Sequence, residues 1–184
     1  MDSPFMEALT GGLTRRGMRV LRFEFPYMRV RRQTGRRRTP DREAVLLETW
    51  RQVVDALGGA SELVIGGKSM GGRMASMVAD ELGCRALACF GYPFHAAGRP
   101  EKPRVDHLRG VRTPALILQG TRDPFGLPGE VAGYGLSPAV TVHWLAGGDH
   151  DLKTPQAASR SQADLIDEAA DTTAALFAGI MSLT

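Results

Sequence analysis

Three short runs, "ELVIG" at 62–66, "RALACFG" at 85–91 and "ALILQG" at 115–120, are apolar at nearly every position instead of every second one. A strand with one face in water alternates apolar and polar residues, whereas a continuous apolar run of this length suits a strand covered on both faces. A fourth run, "VTVHWL" at 140–145, follows them, and an earlier β-rich run, "MRVLRFEF" at 18–25, precedes them. Segments with helical spacing lie between. Ser3 and Pro4 open a helix with Phe5, Met6, Leu9 and Leu13 on one face and Gly17 as its stop. Thr39-Pro40 opens a second, with Leu46, Trp50, Val53, Val54 and Leu57 in helical register; a third follows Ser69, and a last one runs from about Ser159 to Ile180. "RVRRQTGRRR" and the Gly- and Pro-rich stretches 92–114 and 121–130 are expected to be loops. Strands alternating with helices predict an α/β chain with a mostly parallel sheet and helices on both faces.

The length of 184 residues, 43% of them hydrophobic and 23% charged, predicts one domain over 1–184 with a core of its own. The net charge of +3 is local, because seven arginines fall between positions 29 and 42. Cys84 and Cys89 have neither C-x-x-C spacing nor the number expected of a disulfide framework, and are expected to be reduced core thiols. No run approaches the roughly 18 apolar residues of a membrane span, and "MDSPFMEALTGGL" lacks the apolar centre of a signal peptide. A cytoplasmic location with no membrane partner is the expectation.

Chemistry concentrates in "LVIGGKSMGGRMA", 63–75. A phosphate-cradling loop needs G-x-x-x-x-G-K-[ST], and counting back from Gly67, Lys68 and Ser69 puts Glu62 where the first glycine belongs. The pattern G-x-S-x-G is complete in Gly67, Lys68, Ser69, Met70 and Gly71: a nucleophile elbow, a strand-to-helix turn too tight for bulky neighbours. In an open parallel sheet, reactive residues collect in loops at the carboxyl ends of the strands. Ser69 ends one apolar run, Asp123 follows "ALILQG" and His150 follows "VTVHWL", in the chain order serine, acid, histidine. In these roles His150 takes the serine proton, Asp123 orients the imidazole, and the backbone N–H of Met70 donates to a developing oxyanion, while Gly71 and Gly72 let the helix lie close to its strand. Each has a plainer reading: a helix cap for Ser69, a turn starter before Pro124 for Asp123, a solvated loop for His150. Asp149 and Asp151 are alternative acids, although residues adjacent to a histidine rarely reach its inner nitrogen. His95, His107 and His143 share no metal-ligand spacing with His150, so no metal and no cofactor is expected.

Taken together, "MDSPFMEAL", "RFEFPYM", "GKSMGGRMAS", "GYPFH", "LQGTRDPFG" and "GGDHDLK" resemble the small bacterial α/β-hydrolase-like proteins, relatives of dienelactone hydrolases and of hydrolase-like subunits of animal chromatin complexes. The resemblance spans nearly the whole chain. It implies the α/β-hydrolase fold with Ser69, Asp123 and His150 at the triad positions. It also implies a further strand, ending in a His-Gly-rich turn, ahead of the segment matching Asp2 to Phe5 and lying between "MRVLRFEF" and "ELVIG" in the sheet. The chain is expected to lack that strand and the second oxyanion donor its turn supplies, a loss that costs about a hundred- to a thousandfold in rate.

Arg31, Arg36 and Arg37, with Lys68, are candidate substrate-binding cations, since guanidinium groups pair with carboxylate or phosphate in two-pronged fashion. The plainer reading is a solvated loop whose arginines pair with Glu24, Asp41 or Glu43. Glu24, in "FEF", needs a cation, with Lys68 and Arg22 as candidates. Interleaved aromatic residues are missing from the arginine run, so no nucleic-acid partner is expected. The expected activity is that of a carboxylesterase-like serine hydrolase cleaving an ester or thioester of a small acyl substrate, with a homodimer as the candidate assembly. The alternative is a catalytically weak scaffold that binds a protein or acidic partner through its arginines.

Overall fold

The structure, a computed structural model, describes residues 2–181. Four strands, β1 (Val64–Lys68), β2 (Ala86–Phe90), β3 (Ala115–Gly120) and β4 (Val140–Leu145), form one sheet in that order, and every pairing is parallel. The helices are α1 (Pro4–Arg15), α2 (Pro26–Thr34), α3 (Glu43–Ala56), α4 (Met70–Leu82), the single turn α5 (Pro128–Val131) and α6 (Gln162–Met181).

Alternation along the strands feeds two cores. Leu87, Cys89, Ala115 and Ile117 point to the side covered by α3 and α4, where they meet Trp50, Val54, Met74 and Val78. Ala86, Ala88, Phe90, Leu116 and Leu118 point to the other side, against Leu9 and Leu13 of α1 and Leu165, Ile166 and Ala169 of α6. β2 and β3 are buried at every position, as their unbroken apolar runs require. Cys84 and Cys89 are free and buried; burial pushes the Cys84 thiol up to about 11 and that of Cys89 further still.

Two expectations fail. Residues 18–25 are not assigned as a strand, and among the described residues β2 is the one strand paired with β1. The side chains of 18–25 still alternate, with Met18 and Val20 packed on the α1/α6 side and Phe23 and Phe25 on the α3/α4 side. The "RVRRQTGRRR" stretch is not a loop throughout. Its first half completes α2, with Pro26 at the start and Gly35 in the left-handed conformation (φ 66°) at the end, and α3 begins at Glu43, three residues past Pro40. Glu24, buried as expected, pairs with Arg32 on α2 at 3.0 Å.

Candidate active site

Ser69 is the residue between β1 and α4, with φ 53° and ψ −121°, a backbone conformation that side chains other than glycine's rarely adopt. Its N–H donates to Phe90 O at 3.0 Å, and its carbonyl accepts from Arg73 N at 3.0 Å, so strand and helix together hold the turn. The crossing is close. A Cβ on Gly72 would sit 2.6 Å from Gly67 O and 3.1 Å from Cys89 Sγ, and one on Gly67 would sit 3.0 Å from the Gly71 carbonyl carbon. Gly67 and Gly72 therefore set the approach. Gly71, expected to share that role, faces open space.

The serine side chain makes no capping hydrogen bond to α4. Instead Oγ lies 2.9 Å from His150 Nε2, and His150 Nδ1 lies 2.8 Å from Asp123 Oδ2. Asp123 is fully buried and accepts with both oxygens, Oδ1 from Phe125 N at 2.9 Å and Oδ2 from Gln119 Nε2 at 2.9 Å as well as from His150. The turn-starter and histidine-facing readings of Asp123 thus hold at once, one oxygen each. The loop bearing His150 is organised by Asp149, whose Oδ1 accepts from the N–H groups of Asp151 and Lys153, both at 2.8 Å. Buried Leu152, at φ 60°, anchors it. The imidazole leans on Gly91, where a Cβ would come within 3.3 Å of Nδ1, and its ring centroid is 4.5 Å from that of Phe125.

Residues 1–178 match the family described as "Alpha/beta hydrolase domain". The chain belongs to that family. Among solved structures, the esterase domain of a Rhodothermus marinus protein is 21% identical with a TM-score of 0.63, covering 94% of this chain and 78% of that one. An alpha-beta serine hydrolase homologue from Coxiella burnetii is 16% identical (TM-score 0.65; 100% and 78% covered). A protein of unknown function from Agrobacterium tumefaciens is 18% identical (TM-score 0.67; 97% and 79% covered). At these identities the likeness is one of fold. Comparison with curated proteins gives no match.

The hydrolase domain keeps the other candidate residues apart from this cluster to different degrees. Lys68 Nζ pairs with Asp151 Oδ1 at 3.0 Å and stands 5.3 Å from the centre of the Phe5 ring, so it ties the serine turn to the histidine loop. The lysine's hydrogen bond holds the Asp151 carboxyl below its ordinary value. Neither Asp149 nor Asp151 takes the place of Asp123 at the imidazole. Arg31, on the last turn of α2, and Arg36 and Arg37, just past it, are exposed and hydrogen-bond to none of Ser69, Asp123 and His150. A cavity of about 360 Å³ lies between Phe23, Glu24, Arg29 and Arg32 on one side and Thr49, Gln52, Val53 and Ala56 of α3 on the other, away from the serine.

A second serine–histidine contact exists in this domain. Ser76 Oγ is 2.8 Å from His107 Nε2, with the Tyr92 hydroxyl 3.1 Å from the same nitrogen. Burial pushes the His107 pKa down, Ser76 sits inside regular helix donating to Arg73 O, and no carboxylate is hydrogen-bonded to the ring among the described residues. It is a satisfied polar knot between α4 and the 92–114 loop. Gln119 and Gly91, which shape the first cluster, carry no signal in the sequence: a lone amide or glycine at a strand end has no spacing rule attached.

Proposed function

We propose that this protein is a serine hydrolase acting on an ester or thioester of a small acyl substrate. The supporting observation is the continuous chain from Ser69 Oγ through His150 to buried Asp123, with contacts of 2.9 and 2.8 Å. Asp123 meets donors only, so His150 carries its proton on Nδ1 and offers Nε2 as the base. In this reading Ser69 Oγ bonds to the substrate carbonyl carbon as its proton passes to Nε2. The Met70 N–H, at the start of α4, faces the oxyanion with the helix dipole behind it. Collapse breaks the bond to the alcohol or thiol, which takes the proton from His150. Water then repeats the sequence on the acyl-serine and releases a carboxylic acid. The fold likeness to the esterase domain of a Rhodothermus marinus protein supports an ester as the substrate class.

A fluorophosphonate probe is expected to label Ser69 in the wild type and to leave Ser69→Ala unlabelled, with p-nitrophenyl acetate and a short acyl thioester turned over by the wild type alone. A folded wild type that neither labels nor hydrolyses would sink the proposal. A second reading rests on Arg29, Arg31, Arg36, Arg37, Arg38 and Arg42, all exposed and in no ion pair among the described residues: a scaffold that holds an acidic partner there, as the likeness to chromatin-complex subunits suggests. Its mark is partner binding that survives Ser69→Ala but weakens with salt and on charge reversal at Arg36 to Arg38.

A further inference from the structure

Gln119, the penultimate residue of β3, is fully buried, and all its polar contacts are internal. Its Oε1 accepts from Tyr92 N at 2.7 Å. Its Nε2 donates to Asp123 Oδ2 at 2.9 Å, and also approaches Tyr92 O at 3.2 Å and Gly126 O at 3.5 Å. The orientation of this amide is dictated, because a backbone N–H can only donate and Tyr92 N–H therefore requires oxygen on its side. Nitrogen must then face Asp123. The carboxylate consequently meets two fixed donors, Gln119 Nε2 and Phe125 N, and its remaining contact is with His150 Nδ1, which must therefore be the donor. That in turn places the imidazole proton on Nδ1 and frees Nε2 toward Ser69.

We infer that Gln119 is a positioning residue for the hydrolytic reaction: through Asp123 it fixes the orientation of the acid and the tautomer of His150. The inference rests on the serine-hydrolase reading above. With one of its two Oδ2 donors removed, the Asp123 carboxylate loses part of what holds it in place against the imidazole. The same amide also couples the Tyr92 loop after β2 to the Asp123 turn after β3, so the turn that carries the acid is held from the adjacent strand.

Two variants of the full chain test this. Gln119→Leu removes the donor, and the rate of fluorophosphonate labelling at Ser69 is expected to fall about tenfold to a hundredfold, with the half-saturating probe concentration unchanged. Gln119→Glu keeps the acceptor for Tyr92 N–H, so it carries the test if the leucine variant does not fold. Its introduced carboxyl donates to Asp123 only while protonated, and burial beside a second carboxylate raises its pKa. The ratio of variant to wild-type labelling rate is expected to start near one at low pH and to decline as pH rises. The neighbouring Lys68–Asp151 pair is common to both proteins, is not touched by residue 119 and cancels in that ratio, whereas a change passed on to Asp123 and His150 is the effect being read. A ratio that is flat with pH, whether at one or at a constant reduction, would mark a merely structural residue and overturn the inference. If the wild type itself is not labelled, the hydrolase reading fails separately. The ¹⁵N shifts of the His150 ring then decide: an Nδ1-protonated wild type whose tautomer changes in Gln119→Glu as pH rises supports the inference, and identical spectra overturn it.

Discussion

Ser69, Asp123 and His150 come from three connections at the strand ends, and Ser69 and Asp123 each have a structural role as well as one at the cluster. Asp123 is the clearest case, because it holds a turn with Oδ1 and the imidazole with Oδ2. Asp123→Asn replaces one acceptor with a donor. If the amide nitrogen faces His150, the ring must take its proton on Nε2 and can no longer accept from Ser69. If it faces Phe125 N instead, two donors confront each other and the turn loosens. Either way labelling of Ser69 is expected to drop by about a thousandfold or more, while circular dichroism stays that of the folded protein; an unchanged rate would remove Asp123 from the mechanism. These three residues were legible because each stands just past an apolar run, where strand ends and chemistry coincide. Gln119 was not, since its role depends on what the neighbouring strand presents to it. Gly71 was misjudged beside Gly72 because which of two adjacent glycines faces the strand is set by helix phase.

Among the elements, α1, α3, α4, α6 and the inner strands followed from periodicity, while α2 and the single turn α5, both in stretches expected to be loops, did not. Seven arginines in a short stretch read as a solvated loop, yet Pro26 and Gly35 bracket a helix whose cation Arg32 reaches the buried Glu24. The join between α4 and β3 also escaped notice, and it runs through Asp80. Its Oδ1 accepts from Thr113 N and Thr113 Oγ1, both at 2.7 Å, and its Oδ2 from Arg112 N at 3.0 Å. Burial alone would raise its pKa, but the hydrogen bonds from Thr113 and Arg112 outweigh that and hold it below the ordinary value. A depressed folded-state pKa means stability that is present above the unfolded value and disappears as pH falls through the folded one. Asp80→Ala is expected to cost about 1–3 kcal/mol at neutral pH, by urea unfolding, because the N–H and hydroxyl of buried Thr113 and the N–H of Arg112 lose their acceptor. The deficit should begin to shrink below about pH 4, the ordinary carboxyl value, and go on shrinking as pH falls through the lower folded-state value. A deficit constant down to strong acid would show that packing, not the charge, is what Asp80 supplies.

At the scale of the whole molecule, β1 and β4 are the two edges of the sheet among the described residues, and residues 18–25 are not assigned to it as a strand. The hydrophobic pattern of "MRVLRFEF" encodes which face each side chain takes, and those faces are taken: Phe23 packs edge-on against Trp50 with ring centroids 4.6 Å apart, and Val20 joins the α1/α6 core. What the pattern does not encode is a hydrogen-bonding partner, which belongs to the neighbouring strand and not to the segment itself. Side-chain burial and backbone pairing therefore separate here, and Leu21 is left 61% exposed. Native-state hydrogen exchange should register the separation directly. Amides of Leu87 to Phe90 and Leu116 to Leu118, paired on both sides in the sheet interior, are expected to exchange only on global unfolding, whereas those of Arg19, Val20, Leu21 and Phe23 exchange by local motion. For a global stability of about 5 kcal/mol the two groups should differ by about three orders of magnitude. Protection of 18–25 equal to that of β2 would mean that the segment is laddered in solution, and the sheet would then have to close between it and β1.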